Sequence, residues 1–390
     1  MNKEITKLLF ALLNCIIHDR MLSESEAALF STEKLPELYA LSKKHDLAHI
    51  ISESLIKNNL MDENDEYCRR FQKDQFSAIF RDEQNGFTLK GICDTLEKSK
   101  IPFIPLKGSV IKFYYPATWM RTSSDIDILI DKKNLSKAEE SLVSHLSFAP
   151  FKRTNHDSFS VTPYHTILEL HFDLIEHGKA KNSRQVLARF WDNTQKYDQY
   201  NYKYAVLDEM FYFYHIAHMA KHFETGGCGI KPFIDLWFLN HKKDFDVSKR
   251  NALLKEGGLL EFAKTCELLC EIWFGNEVHT ETTLKAQSYI LFGGVYGNAA
   301  NAIRFRNAQS GGKLLLIIKR ILPSYETMRG MYPYLIGRPL LLPFFHIKRW
   351  CRIIFKKQTK RALNEFKTGV KISDSERMET VEFMKEIGLF

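Results

Sequence analysis

Two carboxylates stand one residue apart in the apolar run Ser124-Asp125-Ile126-Asp127-Ile128-Leu129-Ile130. On an extended strand, residues i and i+2 share a face, so Asp125 and Asp127 project together. Such a pair repels unless something positive lies between its members. Hard oxygen donors of this kind suit Mg2+ or Mn2+. Upstream, the run from Ile101 to Leu106 closes on Lys107-Gly108-Ser109. Gly108 lets backbone approach a phosphate, and N–H groups that open a following helix point outward. Ser109 adds a hydroxyl and Lys107 a cation. Alone, each element has an ordinary reading: two solvated aspartates at a strand end, or a common strand-to-helix turn. In combination they suit a nucleoside triphosphate and its metals.

A site with two metals needs a third acid, because one ion must also hold the attacking oxygen. Glu169 in Thr166-Ile167-Leu168-Glu169-Leu170-His171-Phe172 interrupts an otherwise apolar strand and is the candidate. His171 shares its face by the same alternation, and so would Asp173, the alternative third acid.

These residues need a sheet to hold them, and the hydrophobic pattern supplies one. Residues 101–106 read as an edge or early strand punctuated by proline, followed by a helix over 109–115 and a loop to 124. Residues 126–130 form a second strand, and Asn134 caps a helix reaching about 145. Alternation at 157–162 and 166–173 predicts an antiparallel hairpin. Helical periodicity recurs before this block, at 5–17, 36–58 and 75–98, and after it, at 208–223, 231–241, 259–274 and 281–303. The fold class is therefore α+β, a small mixed sheet flanked by helical regions. The expected divisions are 1–99 (helical), 100–206 (core), 207–310 (helical) and 311–390 (a basic helical tail).

Two histidine groups raise the question of a further metal. His45 and His49, four apart, would share one helix face, and His215, His218 and His222 roughly share another. The first pair lacks an evident third ligand, so a packed or surface pair is the expectation; the second group spans two turns, long for one ion, so packing or contact with the catalytic core is expected. Gly226-Gly227-Cys228-Gly229 lacks the lysine and spacing of a phosphate loop.

The 390 residues, 45% hydrophobic and 26% charged, suit a soluble globular chain, and the seven scattered cysteines point to a reducing cytoplasm rather than a disulfide framework. Residues 8–17 resemble a signal-peptide core, but His18-Asp19-Arg20 follows instead of a cleavage site, and an amphipathic helix fits as well. The uncharged run 286–303 contains Gln, Asn and Gly and makes a poor membrane span, so no transmembrane segment is expected. Net charge is +8, yet 313–361 holds twelve Lys/Arg against Glu326 alone, a local +11 that leaves −3 elsewhere. Aromatic residues lie between those charges, so the segment is either a polyanion contact, to RNA or an anionic membrane surface, or a helix packed on the protein with its charges solvated.

The segment 104–130 resembles the nucleotidyltransferase superfamily typified by DNA polymerase beta, whose pattern is an apolar residue, Gly, Gly or Ser, a loop, then Asp-x-Asp with a later third acid. Pro105-Leu106-Lys107-Gly108, Arg121 shortly before Asp125-Ile126-Asp127, and Glu169-Leu170-His171 resemble a poorly characterised bacterial family within it. His218-Met219-Ala220-Lys221-His222 followed by Asp235-Leu236 is similar to that family's helical C-terminal half. The fifteen residues between Ser109 and Asp125 make a slightly longer loop than usual.

The resemblance implies that Asp125 and Asp127 hold two Mg2+ or Mn2+ ions and that Glu169 completes the second site. Lys107, Gly108, Ser109, Arg121, His171 and Lys221 fall on the nucleotide side, with His171 also placed to orient Glu169. The implied reaction is attack of an acceptor hydroxyl on the α-phosphate of an NTP, expelling pyrophosphate. The acceptor could be a small molecule, a peptide, a protein or RNA. The competing reading is a catalytically silent module of the same fold that binds RNA or an anionic surface through its basic C-terminal region.

Overall fold

The apolar runs that flank the acids pair into one five-stranded sheet in the computed structural model. The structure describes residues 2–154, 157–174, 182–224, 226–295, 297, 301–305, 318, 321–355 and 373–389. The strands are β1 (Phe103–Pro105), β2 (Asp125–Ile130), β3 (Lys152–Arg153), β4 (Asp157–Val161) and β5 (Ile167–His171), in the order β1-β2-β5-β4-β3. β1 with β2, β3 with β4 and β4 with β5 pair antiparallel, whereas β2 with β5 is parallel. The expected edge strand and hairpin are both present. A second, two-stranded sheet of β6 (Thr194–Lys196) and β7 (Tyr204–Val206) abuts β1, whose Phe103 N–H donates to the Tyr202 carbonyl at 2.9 Å.

Alternation along β2 separates its two jobs. Ile126, Ile128 and Ile130 are buried against Ile92 and Leu96 of the helix Glu66–Lys98 and against Leu135, Ala138 and Leu142 of the helix Leu135–Leu146. Leu168 and Leu170 of β5 join the same cluster. A parallel pair requires a crossover, and here Leu135–Leu146 and β4 lie within it. The odd positions of β2 and β5, which carry the acids, are left for the opposite face. There the largest apolar core spreads over the helices Lys3–Ile17, Ala48–Lys57, Asp208–Glu224, Lys231–Lys242 and Leu260–Phe274.

Local chemistry changes three expectations. The helix expected at 36–58 is two, Leu35–Lys44 and Ala48–Lys57, because Asp46 takes a left-handed turn at φ 55°. His45 and His49 consequently part company. His45 Nε2 donates to the Leu291 carbonyl at 3.3 Å and His49 Nε2 to the Met120 carbonyl at 2.9 Å, so they form no metal pair. Asn134 makes no side-chain cap, since a 3-10 turn precedes the helix and Asp131 caps that turn by accepting from the Lys133 N–H at 3.0 Å. Finally, the helix expected at 281–303 spans Glu281–Gly293 and stops at Gly294, whose φ is 68°. No helix among the described residues is long and apolar enough to cross a membrane. Six of the seven cysteines are buried free thiols, and Cys351 is exposed.

Burial pushes His49 down to about 4 from its ordinary 6.5, an effect reinforced by the nearby Lys231 cation. The unfolded chain then takes up this proton first as pH falls, so stability is lost between those two values. His49→Gln keeps a donor for the Met120 carbonyl and removes the titration. We expect urea unfolding to show the wild type losing about 2 kcal/mol more than His49→Gln between about pH 7 and about pH 4.5. Parallel losses in the two proteins would contradict this.

Candidate active site

The register of the parallel pair decides which side chains meet. Asp127 lies opposite Glu169, Asp125 opposite Ile167 and Leu129 opposite His171. Asp127 is 2% exposed, and its Oδ1 accepts from Lys107 Nζ at 2.8 Å and from His171 Nε2 at 2.7 Å. His171 Nε2 also lies 3.5 Å from Glu169 Oε2. Donor atoms of Asp127, Glu169 and His171 all fall within 4.8 Å of one another, a set able to hold a metal ion. Asp125, half-buried at the start of β2, turns instead to Ser123, whose hydroxyl donates to its Oδ1 at 2.9 Å. Asp173 lies past the end of β5.

Electrostatics follow from this crowding. Burial would raise the Asp127 pKa, but the Lys107 cation and the His171 hydrogen bond outweigh it and bring it down to about 2. Glu169 moves the other way, raised by burial and by the neighbouring Asp127 carboxylate. Burial opposes the charge on Lys107, yet Tyr214 and Asp127 together hold it above the usual lysine range. The pattern is that of a site short of positive charge, partly supplied by one ammonium.

The Gly-Ser turn is locked to the acid strand. The Leu106 N–H donates to the Asp127 carbonyl at 3.0 Å. Lys107 then takes φ 46° and ψ −123°, a conformation costly for a residue with a Cβ. The following helix, Gly108–Ile111, is one turn long. The N–H groups of Ser109 and Val110 bond back to the Leu106 and Lys107 carbonyls, so they do not point outward as expected. A Cβ on Gly108 would come within 3.1 Å of Ser123 Oγ, the hydroxyl that holds Asp125. Gly108, Ser109 and Asp125 line a cleft whose other wall is the helix Glu66–Lys98, through Arg81, Asp82 and Asn85.

The loop between the turn and β2 is held by polar groups from distant parts of the chain. Arg121 Nε donates to both carboxylate oxygens of Asp235, at 2.7 and 3.0 Å, and the Tyr115 hydroxyl donates to the same group at 2.6 Å. Thr122 donates to Asp46 at 2.8 Å, and Lys231 pairs with Asp46 while donating to the Thr122 hydroxyl at 2.9 Å. Asn85 donates to the Ser123 carbonyl at 3.2 Å and accepts from Thr166 at 2.8 Å. Two of the cleft's cations are thus committed, Arg121 to Asp235 and Lys112 to Asp82 at 2.7 Å. Arg81, exposed at the rim, has no ion pair among the described residues. Sequence reasoning passed over Asp46, Arg81, Asn85, Lys112 and Lys231. No local signal pairs positions this far apart.

On the helix Asp208–Glu224, His218 and His222 meet with Nε2 atoms 2.9 Å apart, while His215 Nε2 donates away from them to the Pro232 carbonyl at 2.9 Å. The three do not share one ion. Burial pushes His218 well below the usual histidine range, and the Lys107 cation adds to that. Lys221, half-buried on the same helix, acts on His218 in the same sense.

Over residues 31–275 the sequence matches the family described as "Uncharacterised nucleotidyltransferase". The chain belongs to that family. As a nucleotidyltransferase it takes a nucleoside triphosphate as substrate, which family membership implies. No curated protein and no solved structure matches it. The matched span contains Asp46, the Gly-Ser turn, the acids and Asp235, and ends before the basic segment.

Removing one partner of a buried ion pair leaves an uncompensated charge. Asp235→Ala is therefore expected to cost about 3–5 kcal/mol in denaturant unfolding, whereas Arg153→Ala, which breaks an exposed pair with Glu139, costs at most about 1 kcal/mol. Gly108→Ala should leave the unfolding midpoint close to wild type and lower nucleotide transfer by about tenfold to a hundredfold, because it displaces Ser123.

Proposed function

We propose that the protein transfers the nucleoside monophosphate group of an NTP to an acceptor hydroxyl and releases pyrophosphate. The observation that carries this reading is the in-register pairing of Asp127 with Glu169 beside the Lys107-Gly108-Ser109 turn. Asp127 and Glu169, with Asp125 at the strand mouth, are the groups that would hold Mg2+ or Mn2+, and His171 adjoins them through its hydrogen bond to Asp127. The fit rests on their chemistry: anionic oxygens crowded enough to raise Glu169, with a lysine ammonium already 2.8 Å from Asp127. Two such ions, when bound, neutralise charge on the attacking and leaving oxygens.

The chain's own residues do the positioning. Gly108 admits the triphosphate close to the backbone, and the Ser109 hydroxyl donates to a phosphate oxygen. Lys107 balances the buried Asp127 charge, and His171 orients Asp127 by donating from Nε2 while lying 3.5 Å from Glu169. Arg121 acts from behind, fixing the loop through Asp235, while the exposed Arg81 meets the phosphates at the rim. The face of the helix Asp208–Glu224 that carries His218 and Lys221 closes the nucleotide side. The acceptor is a hydroxyl-bearing small molecule, peptide, protein or RNA.

The test is transfer of label from NTPs to lysate fractions in the presence of Mg2+ or Mn2+. Asp125→Asn, Asp127→Asn and Glu169→Gln should each lower transfer by about a thousandfold or more with the fold retained. Wild-type activity in Asp127→Asn would sink the proposal. Arg81→Ala should raise the KM for NTP by about tenfold with kcat nearly unchanged, the loss of one charged phosphate contact.

A further inference from the structure

We infer that the basic C-terminal unit docks on an anionic lipid surface through an exposed apolar stripe. The described part of this unit has its own small core of Met328, Tyr332, Leu335 and Phe345, against which Leu342 packs. The helix Leu342–Phe355 spends its inner side on that core. Its outer side stays open: Phe344 is 62% and Ile347 64% exposed, and Cys351 continues the line. Leu340, 93% exposed in the preceding turn, starts it. The spacing 344, 347, 351 is that of one helical face, and Leu340 precedes it in the 3-10 turn Pro339–Leu341. Residues 313–317, 319, 320 and 356–361 of the basic segment lie outside the described residues.

Charge identifies the occupant. Arg338, Lys348 and Arg352 edge the stripe and have no carboxylate partner among the described residues; Arg338 lies over Tyr334 and Arg352 over Tyr332, at 4.2 and 5.4 Å from the ring centres. A second copy of the unit would bring +11 against +11. Single-stranded RNA stacks on open aromatic faces, but Leu340 and Ile347 are aliphatic, and the rings nearby are engaged with one another, Tyr332 on Phe345 at 5.0 Å and Phe344 on Phe345 at 5.6 Å. Exposed aliphatic and aromatic side chains rimmed by unpaired cations match the boundary between anionic headgroups and acyl chains. The unit lies beyond the family match, so it can add a location without altering the chemistry.

The test is flotation of the full chain with phosphatidylglycerol-containing vesicles, with pure phosphatidylcholine vesicles as the comparison. The wild type should float with the anionic vesicles and stay behind with the neutral ones. F344D/I347D should lower partitioning at least about tenfold, and Leu340→Asp, in an exposed turn, should lower it alone. Nucleotide transfer and melting temperature should be unchanged in both. K348Q/R352Q should weaken binding and flatten its salt dependence. Failure to float with anionic vesicles would overturn the inference, as would flotation unaffected by F344D/I347D. Tighter binding of single-stranded RNA than of vesicles, lost in F344D/I347D, would assign the stripe to nucleic acid instead.

Discussion

Parallel pairing of Asp125–Ile130 with Ile167–His171 sets two acid-bearing strands side by side, in a register that opposes Asp127 to Glu169. A shift of one residue would turn the acids into the cluster built by Ile126, Ile128 and Ile130 and bring those isoleucines to the cleft. Burial of the isoleucines therefore fixes the position of the carboxylates. The hydrophobic effect enforces an electrostatically unfavourable arrangement, and Lys107 and His171 relieve part of it. Much of the surrounding architecture can be read as a means of keeping that arrangement in place.

The loop from Tyr115 to Ser123 is the clearest example. It has little regular structure, yet its polar groups are matched by partners on three helices: His49 from Ala48–Lys57, Asn85 from Glu66–Lys98, and Lys231 and Asp235 from Lys231–Lys242. Asp46 joins from the turn before Ala48–Lys57. Buried ion pairs of this sort contribute little net stability, but they tolerate few alternative arrangements. The energy of the fold comes from its apolar cores, and the polar belt selects one geometry for the loop.

How much of this was legible depends on distance along the chain. The face shared by Asp125 and Asp127, the face shared by Glu169 and His171, and the β4–β5 hairpin all follow from alternation over a few residues. The edge character of β1 follows from its prolines. Nothing local announces that Arg121 turns to Asp235, 114 residues away, or that Thr122 meets Asp46, 76 residues away. The break between Leu35–Lys44 and Ala48–Lys57 escaped because apolar periodicity continues across it while one aspartate adopts a left-handed turn. The strained backbone at Lys107 escaped for the opposite reason. Glycine at the next position is where such a conformation would be sought, and the lysine carries it instead.

The ties between the loop and Lys231 and Asp235 also govern when the site comes into being. During synthesis the sheet strands emerge by His171, and the carboxylates can meet as soon as β5 pairs with β2. The loop that sets Ser123 against Gly108 has to wait for another sixty or so residues, until Asp235 has left the ribosome and Lys231–Lys242 has packed. A nascent chain thus carries its acids before it carries an ordered cleft. Competence arrives only when three regions distant in sequence have closed on one short segment, so a chain stalled before that helix would hold the motif and lack the enzyme.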